Sequence, residues 1–286
     1  MPELPEVETV RRGLEKYLVG HIIEKVEVIT PGPFQGDAKN VEGHKVIKVR
    51  RSGKGLIIDL DNKFSLAIHI KLTGQLIYRD QSLKNTPVSP QKVGTIPNKF
   101  THVIFYLDKN AVLYYNDQRR FGWIRTVPTN EIMNMPFFKT MGPEPFGLGT
   151  GEELTYDLFQ TILSRATTKI KPLIMDQAKI GGIGNIYAND ALWNAKIDPA
   201  RPAKSLNTTE VKDLFDSIIK VMELSIEEGG ASELTFVNIL GQEGNYQSHT
   251  LVYGKTGKPC RRKDAGVIKR ITLGGRGTFY CDKCQK

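Results

Sequence analysis

The sequence predicts an α+β chain with two unlike halves, on three observations. One leading helical stretch is followed by strand-type alternation through about residue 128. Helical periodicity takes over after a Gly- and Pro-rich stretch at 137–155. The three cysteines, Cys260, Cys281 and Cys284, all fall in the last 27 residues. A length of 286 residues with 40 % apolar side chains is enough for two domains with cores of their own. The expected division is a mostly β domain at 1–136, a linker at 137–155, a helical domain at 156–249 and a cysteine-bearing tail at 250–286.

The elements follow in order. In ELPEVETVRRGLEKY, Leu4, Val7, Val10, Leu14 and Leu18 recur at helical spacing, and acidic residues crowd the first turns, where the macrodipole favours them. HIIEKVEVI, HKVIKVRR, GLIIDL, FSLAIHI and QLIYRD alternate as strands between Gly, Pro, Asn and Asp punctuation. Residues 81–98 are polar and Pro-rich and are expected to form an exposed loop. Strands resume at THVIFYL, AVLYYND and FGWIRTV, so the first half is expected to be two packed antiparallel sheets. Beyond the linker, TYDLFQTILSRA, IKPLIMDQAK, NIYANDALWNA and NTTEVKDLFDSIIKVMELSIEEG carry helical periods, and the tail returns to short strands around the cysteines.

Composition narrows the partners. A net charge of +9 and a pI near 9.3 favour a polyanion. No apolar run approaches the ~18 residues of a membrane span, and the acidic start is unlike a secretory signal, so a cytoplasmic location without membrane association is expected. Cysteines clustered in one short tail argue for a local metal site and against a disulfide framework.

Four motifs could carry chemistry. The first is the chain start, MPELPE. Methionine before a small residue is normally removed, which would leave the nitrogen of Pro2 as a free secondary amine. An α-amino group titrates near about 8, so a useful fraction is neutral and nucleophilic, and it can form an iminium with an electrophilic carbon. Glu3 beside it is a candidate general acid or base. Taken alone, the same residues are an ordinary helix opening. The second is Lys54 on a Gly-flanked hairpin tip, placed to reach a phosphate or sugar. The third is KIKPLIMDQAKIGGIGNIYANDALW. Its glycine turn, Gly181, Gly182 and Gly184, feeds a helix starting near Asn185, an arrangement that offers backbone N–H groups to an anion, with Lys171 and Asn185 adding donors. The fourth is NDQRRFGW, where Arg119 and Arg120 precede Phe121, a set able to pair with base edges and wedge between stacked bases. In the tail, Cys281-x-x-Cys284 reads as one half of a zinc knuckle, but Cys260 is followed by Arg261, Arg262 and Lys263 where its mate is expected. Asp264 is the nearest side chain able to supply a fourth ligand, since a protonated lysine has no lone pair to give.

MPELPEVETVRRGLE, RRSGKGL, IHIKLTG, NDQRRFG, MGPEPF, IKPLIMDQ, GIGNIYANDALW, EEGG, VYGKTGKPC and GRGTFYCDKCQK together resemble, in order and spacing along the whole chain, the bacterial formamidopyrimidine-DNA glycosylase (Fpg) family. The resemblance implies an N-terminal antiparallel β-sandwich with a leading helix, then a helix–two-turn–helix domain ending in a zinc-ribbon-like β-hairpin. It implies a bifunctional enzyme, a monomer, that excises oxidised purines such as 8-oxoguanine and formamidopyrimidines from double-stranded DNA and then cleaves the abasic site. Carried over by position, Pro2 would attack C1′ of the damaged nucleotide, Glu3 would be its acid/base partner, and Lys54 would contact the backbone near the lesion. Leu72, where relatives usually have Met, would fill the gap left by the everted base together with Phe121 and Arg119, with Arg119 facing the orphaned cytosine. Lys171, Asn185 and Arg276 would hold phosphates, and residues 229–247 would close over the flipped base. Enzymes that act on a base inside a duplex must extrude it, so a wedge set is the natural companion of such chemistry.

This sequence departs from the family in three places. Leu72 keeps an apolar wedge but loses methionine's flexibility. Residues 99–102 read KFTH where many relatives have KHDH, which puts local DNA contacts in question. The broken first cysteine pair leaves Lys263 or Asp264 aligned with the missing ligand, so zinc would be held by Cys260, Cys281, Cys284 and Asp264, or not held. Two other readings stay open: the endonuclease VIII branch, which removes oxidised pyrimidines and usually begins PEGPE, and a non-catalytic DNA-damage binder.

Overall fold

A computed structural model describes residues 1–147, 149 and 151–286. They form two compact units, one of Met1–Lys139 with Ser225–Gln247, the other of Thr140–Leu224 with Ser248–Lys286. Residues 225–247 follow the helical stretch in the chain but belong to the N-terminal unit.

The N-terminal unit opens with α1 (Leu4–Leu18), whose residues Leu4, Val7, Val10, Leu14 and Leu18 are all buried as the spacing predicts. A 15-residue helix is marginal in isolation; this one is held by its apolar face, which packs on the sheet. Nine strands follow: β1 (Ile22–Val28), β2 (Phe34–Gln35), β3 (His44–Ser52), β4 (Gly55–Leu60), β5 (Phe64–His69), β6 (Gly74–Arg79), β7 (Thr101–Leu107), β8 (Ala111–Asp117) and β9 (Trp123–Pro128). Their order is β2-β9-β5-β4-β3-β1-β7-β8-β6. The register between β1 and β3 is two residue pairs long, Ile22 with Lys45 and Ile23 with His44. That short seam divides the strands into two leaves, β2-β9-β5-β4-β3 and β1-β7-β8-β6.

Both leaves feed one apolar core. Val46, Leu56, Ile58, Leu66 and Ile124 from one leaf and Val26, Leu76, Val103, Phe105 and Leu113 from the other lie in it together with the buried face of α1. This is the predicted sandwich. Phe236 and Ile239, from the segment that rejoins this unit late in the chain, complete the same core. Gly13 inside α1 would cost about 1 kcal/mol relative to alanine, but a Cβ there would lie 2.7 Å from the side chain of Ile239. The stretch read as an exposed loop, 81–98, has no helix or strand, yet it is not merely solvated. Val93 is buried with Ile77 and Val237, and Val88 and Ile96 pack against them.

A short helix, α2 (Pro136–Lys139), closes the first part of this unit. The second unit contains α3 (Tyr156–Ser164), α4 (Ile170–Ile174), α5 (Asn185–Asn194) and most of α6 (Thr208–Glu227). α7 (Tyr246–His249) precedes the tail, where β10 (Ile268–Leu273) and β11 (Arg276–Cys281) form an antiparallel hairpin. The hairpin has a small apolar patch of its own, Val252, Cys260, Ile268 and Cys281 with Trp193 of α5. The helical period read over 170–179 yields only five residues of helix. Beyond it, Gln177 turns inward and its Nε2 donates to the carbonyls of Met175 and Ile183.

Candidate active site and metal cluster

The chain start is fixed by polar contacts as well as by packing. Pro2 and Glu3 are buried, and Glu3 is the N-cap of α1. Its backbone N–H donates to Glu6 Oε2 at 2.7 Å in a capping box, with Pro5 in the first turn. One turn further, Glu8 is fully buried among arginines: Arg51 Nε lies 3.1 Å from it, Arg11 3.0 Å and Arg12 2.9 Å. Burial alone would raise the Glu8 carboxyl, but hydrogen bonds from Arg11 and Arg12 and the charge of Arg51 take it below the usual range. The same Arg51 donates from Nη1 to the carbonyl of Gly53 at 3.0 Å. Gly53 and Lys54 form the turn between β3 and β4, where Ser52 pairs with Gly55. The Glu8–Arg51 pair therefore ties the helix that carries Pro2 and Glu3 to the turn that carries Lys54. Arg50, the other cation before Lys54, is paired with Asp59 at 2.6 Å.

Lys54 is buried rather than exposed as a turn lysine would be. Its charge, after burial and Lys71, helps press the His69 imidazole down to about 3. His69 is therefore neutral at working pH; its Nδ1 accepts the Lys71 N–H at 2.9 Å.

The wedge candidates sit on two adjoining loops joined by Asp117. This fully buried carboxylate accepts the N–H groups of Arg119 at 3.1 Å and Gly122 at 2.8 Å, as well as the Thr73 hydroxyl. The Arg119 N–H also reaches Thr73 Oγ1 at 3.0 Å. The turn bearing Leu72 and the loop bearing Arg119 and Phe121 are thus one construction. Gly122 admits no side chain, since a Cβ there would lie 2.1 Å from the Tyr115 hydroxyl. Phe121 is 53 % exposed, with the Arg119 guanidinium 4.7 Å from its ring centroid. A large apolar side chain held out beside a cation is poised for a partner. In the KFTH departure, Thr101 and His102 are buried at the start of β7, and His102 Nε2 is 2.8 Å from the Asp117 carbonyl. Those two positions build the loop from behind.

In the second unit Lys171 and Asn185 come together, but not as two open donors. Lys171 is 1 % exposed, and its Nζ donates to Asn185 Oδ1 at 2.7 Å, Thr278 Oγ1 at 2.8 Å and the Gly277 carbonyl at 3.1 Å. An ammonium has three hydrogens, and three oxygens of the protein stand within reach of them. Lys171 orients Asn185 and clasps the β10–β11 hairpin. Asn185 Oδ1 also accepts from Asn189 at 3.3 Å, which turns its amide nitrogen to the other side. The glycine turn is likewise more inward than expected: the Gly181 N–H donates to the Pro143 carbonyl at 2.9 Å and that of Gly182 to Gln177 Oε1 at 3.0 Å. Those two amides are engaged inside the protein and are not offered to an anion. Arg276 is exposed at the start of β11, beyond the Gly274-Gly275 turn.

The tail brings Cys260, Asp264, Cys281 and Cys284 together, with one ligand atom from each within 4.8 Å of all the others. The Cys260 and Cys284 sulfurs are 3.8 Å apart, and Cys281 Sγ is 3.7 Å from Asp264 Oδ2. Tetrahedral zinc with bonds of about 2.3 Å to sulfur sets its sulfurs roughly 3.8 Å apart, so the donor set fits such an ion. Of the two aligned positions it is Asp264, not Lys263, that joins the cluster. Its carboxylate accepts the Gly266 N–H at 2.9 Å, which helps hold it below the usual carboxylate range. Arg262 takes up another role: it stacks 3.8 Å from the Trp193 ring centroid and donates to Cys284 Sγ at 3.2 Å and to the Asn194 carbonyl at 3.0 Å.

Comparison with known proteins bears on each of these parts. Residues 1–124 match the family model of the formamidopyrimidine-DNA glycosylase N-terminal domain, and residues 141–236 that of the formamidopyrimidine-DNA glycosylase H2TH domain. The chain is 37 % identical over 293 residues to the formamidopyrimidine-DNA glycosylase of Heliobacterium modesticaldum, with both chains covered in full. It is 38 % identical to that of Lactiplantibacillus plantarum, covering 98 % of each. The chain belongs to the formamidopyrimidine-DNA glycosylase family. Among solved structures, Lactococcus lactis Fpg in complex with abasic-site DNA superposes with a TM-score of 0.85 at 34 % identity over 99 % of both chains. The same enzyme with DNA containing N7-benzyl-Fapy-dG gives 0.85 at 33 % identity over the whole of both.

Three residues that organise these local arrangements, two in the first unit and one in the second, were not singled out from the sequence. Glu8 and Asp117 are lone acids whose partners lie on other elements, and Arg262 stands in a basic run that reads as surface. For Glu8 a signal was available: an acid placed on the apolar face of a helix, between Leu4 and Val7 on one side and Leu14 on the other, calls for a buried cation. Asp117 and Arg262 had none.

Proposed function

We propose that this member of the family excises oxidised purines, 8-oxoguanine and formamidopyrimidines among them, from double-stranded DNA and then cleaves the strand at the abasic site, with the nitrogen of Pro2 as nucleophile. The observation that carries the assignment of residues is the fixed, buried chain start: the capping box aims Pro2, and the Glu8–Arg51 pair couples it to the Lys54 turn.

With Met1 removed, the Pro2 nitrogen attacks C1′ of the damaged nucleotide and the bond from C1′ to the base breaks, its electron pair leaving with the base. Glu3 supplies the proton that opens the sugar. Loss of the proton on nitrogen gives an iminium, which acidifies the C2′ hydrogen. Removal of that hydrogen expels the 3′-phosphate, and a second elimination expels the 5′-phosphate. Lys54 holds the phosphate next to the lesion. Leu72, Arg119 and Phe121 occupy the space vacated in the duplex, and Arg119 reads the widowed base. Asn185, through its amide nitrogen, and Arg276 hold phosphates of the DNA backbone; Lys171 serves by orienting Asn185. The net charge of +9 agrees with a polyanionic partner. No helix among the described residues is long and apolar enough to cross a membrane, and repair of a bacterial chromosome by a monomer in the cytoplasm is the setting this reading supplies.

The cysteine–aspartate cluster would hold zinc, which when bound cross-links the hairpin that carries Arg276 and takes no part in bond-making. The reading is tested by borohydride reduction during turnover of a duplex containing 8-oxoguanine. A covalent adduct whose protein end is Pro2 is the expected result. An adduct at a lysine, or none despite removal of Met1 shown by intact mass, would overturn it.

A further inference from the structure

Of the segment 229–247, read above as the one that covers the extruded base, residues 229–243 contain no helix or strand. Its shape is imposed by side chains from elsewhere in its unit. The N–H of Ala231 donates to Glu6 Oε1 at 2.8 Å, and Glu6 Oε2 is the atom that caps Glu3. The buried amide of Gln75 donates from Nε2 to the Thr235 carbonyl at 2.7 Å and to the Lys92 carbonyl at 3.0 Å. Lys92 Nζ donates to the Ser232 carbonyl and pairs with Glu243 at 2.9 Å. Ser89 donates from Oγ to Glu243 Oε1 at 2.6 Å and from its N–H to the Gly241 carbonyl at 2.8 Å. Arg79 Nη2 donates to the Leu240 carbonyl at 3.0 Å. Within 232–241, carbonyls that a helix or strand would satisfy internally are therefore satisfied by donors from β6 and from residues 89–92. At the far point of the segment, Leu234 is 63 % exposed.

We propose that Gln75, Ser89 and Lys92 are positioning residues for base recognition: they hold segment 229–243 in its covering position before DNA arrives, so that the stretch 81–98 acts as a bracket for the cover. The proposal rests on the function argued above, because it takes that segment to meet the flipped base. The one link named above between the segment and the sugar chemistry is the Ala231–Glu6 hydrogen bond, and none of Gln75, Ser89 and Lys92 makes it. Pro2, Glu3 and Lys54 are placed by the cap and by Arg51, and none of the hydrogen bonds or ion pairs named above joins Lys92 to them. Release of the bracket should therefore harm a substrate that carries a base and spare one that has none. A preformed cover also loses less conformational freedom on binding than one that must order itself, which is where the bracket would gain rate.

The test compares single-turnover excision of 8-oxoguanine with incision of a preformed abasic site, for the wild-type protein, Lys92→Met, Lys92→Arg and Gln75→Leu. Lys92→Met keeps the aliphatic stem on a side chain that is only partly buried, so it should fold. The expected result is a loss of about ten-fold or more on 8-oxoguanine for Lys92→Met and Gln75→Leu, abasic incision within about two-fold, and recovery of most of the loss in Lys92→Arg. Amide exchange over 231–241 in the free protein should quicken in Lys92→Met. Equal losses on both substrates, or none on either, would overturn the proposal, as would unchanged exchange over 231–241 in both variants. A wild-type protein inactive on both substrates would count against the function itself, and the exchange measurement would still judge the bracket.

Discussion

The two ends of the chain carry its two most specialised constructions, and they are held in opposite ways. At the start, Pro2 and Glu3 sit on a helix buried in a large shared core, and a carboxylate–arginine pair with no solvent exposure locks that helix to the Lys54 turn. At the end, the β10–β11 hairpin has a small apolar patch, and four ligand atoms gather where a core would otherwise be. A large core can bear the desolvation of a buried ion pair, which then enforces geometry; a short hairpin cannot, and needs a cross-link. On the function proposed here the first construction would hold a nucleophile, which requires a fixed position, and the second a phosphate-binding arm, which can depend on a metal.

Breaking the first construction should have the largest effect. Glu8→Gln leaves Arg51 charged in a site without solvent, which should cost about 3–5 kcal/mol and lower the melting temperature by roughly 10 °C. The double variant Glu8→Gln with Arg51→Met should recover part of that loss. A melting curve for Glu8→Gln that matches the wild type would show that the pair does not govern the start of the chain.

Removing metal should break the other end alone. With a chelator present, amide exchange over 260–284 should rise while the melting of the N-terminal unit stays put, and DNA affinity should fall more than incision at saturating enzyme. Asp264→Cys, which completes a four-sulfur set, should tighten zinc by about ten-fold or more in a chelator competition, and Asp264→Ala should weaken it. Zinc affinity unaffected by either substitution would remove Asp264 from the ligand set.

A smaller effect belongs to the arm itself. Arg276→Ala should weaken binding to damaged and undamaged duplex alike and lower the salt-dependence slope by about one, as the loss of a single phosphate contact does. A loss confined to damaged DNA would place Arg276 with the lesion.

The smallest effect concerns pH at the first construction. Burial, with the charges of Lys71 and Lys54, keeps His69 neutral down to about 3 in the folded state, whereas an unfolded histidine titrates near 6.5. Between those values the unfolded chain binds the extra proton, so stability falls as pH is lowered through that window. Urea midpoints should drop between about pH 6.5 and pH 5, above the range where most carboxylates titrate, and His69→Gln should flatten the drop. A wild-type midpoint constant over that interval would contradict the neutral buried imidazole.

Most of the helices and strands are legible in the sequence, because their signals are local. Leu4, Val7, Val10, Leu14 and Leu18 declare a helix by spacing, and strands β3 to β9 fall on the segments read as strands, although β4, β5 and β6 are buried almost throughout and do not alternate. The residues proposed for the chemistry come from the ordered motifs of the family. What goes unread is pairing across long separations. Lys171 is expected to hold a phosphate directly, but its partners Gly277 and Thr278 stand more than a hundred positions away. The 81–98 stretch reads as a solvated loop because its partners, Ser232, Val237 and Glu243, lie about 140 residues or more downstream.

By itself, then, the sequence determined most of the segments that become helix or strand, that the chain is an α+β protein, and which residues to propose for amine chemistry, DNA contact and metal binding. Periodicity and short motifs are properties of neighbours, and neighbours are written in order. Only the tertiary structure decided that Asp264 and not Lys263 joins the three cysteines, that Glu8 and Arg51 couple the chain start to Lys54, and that residues 225–247 return to the first unit. Those outcomes depend on which distant groups share one small volume, where a buried charge or open carbonyl must find a partner, and no local pattern specifies that choice.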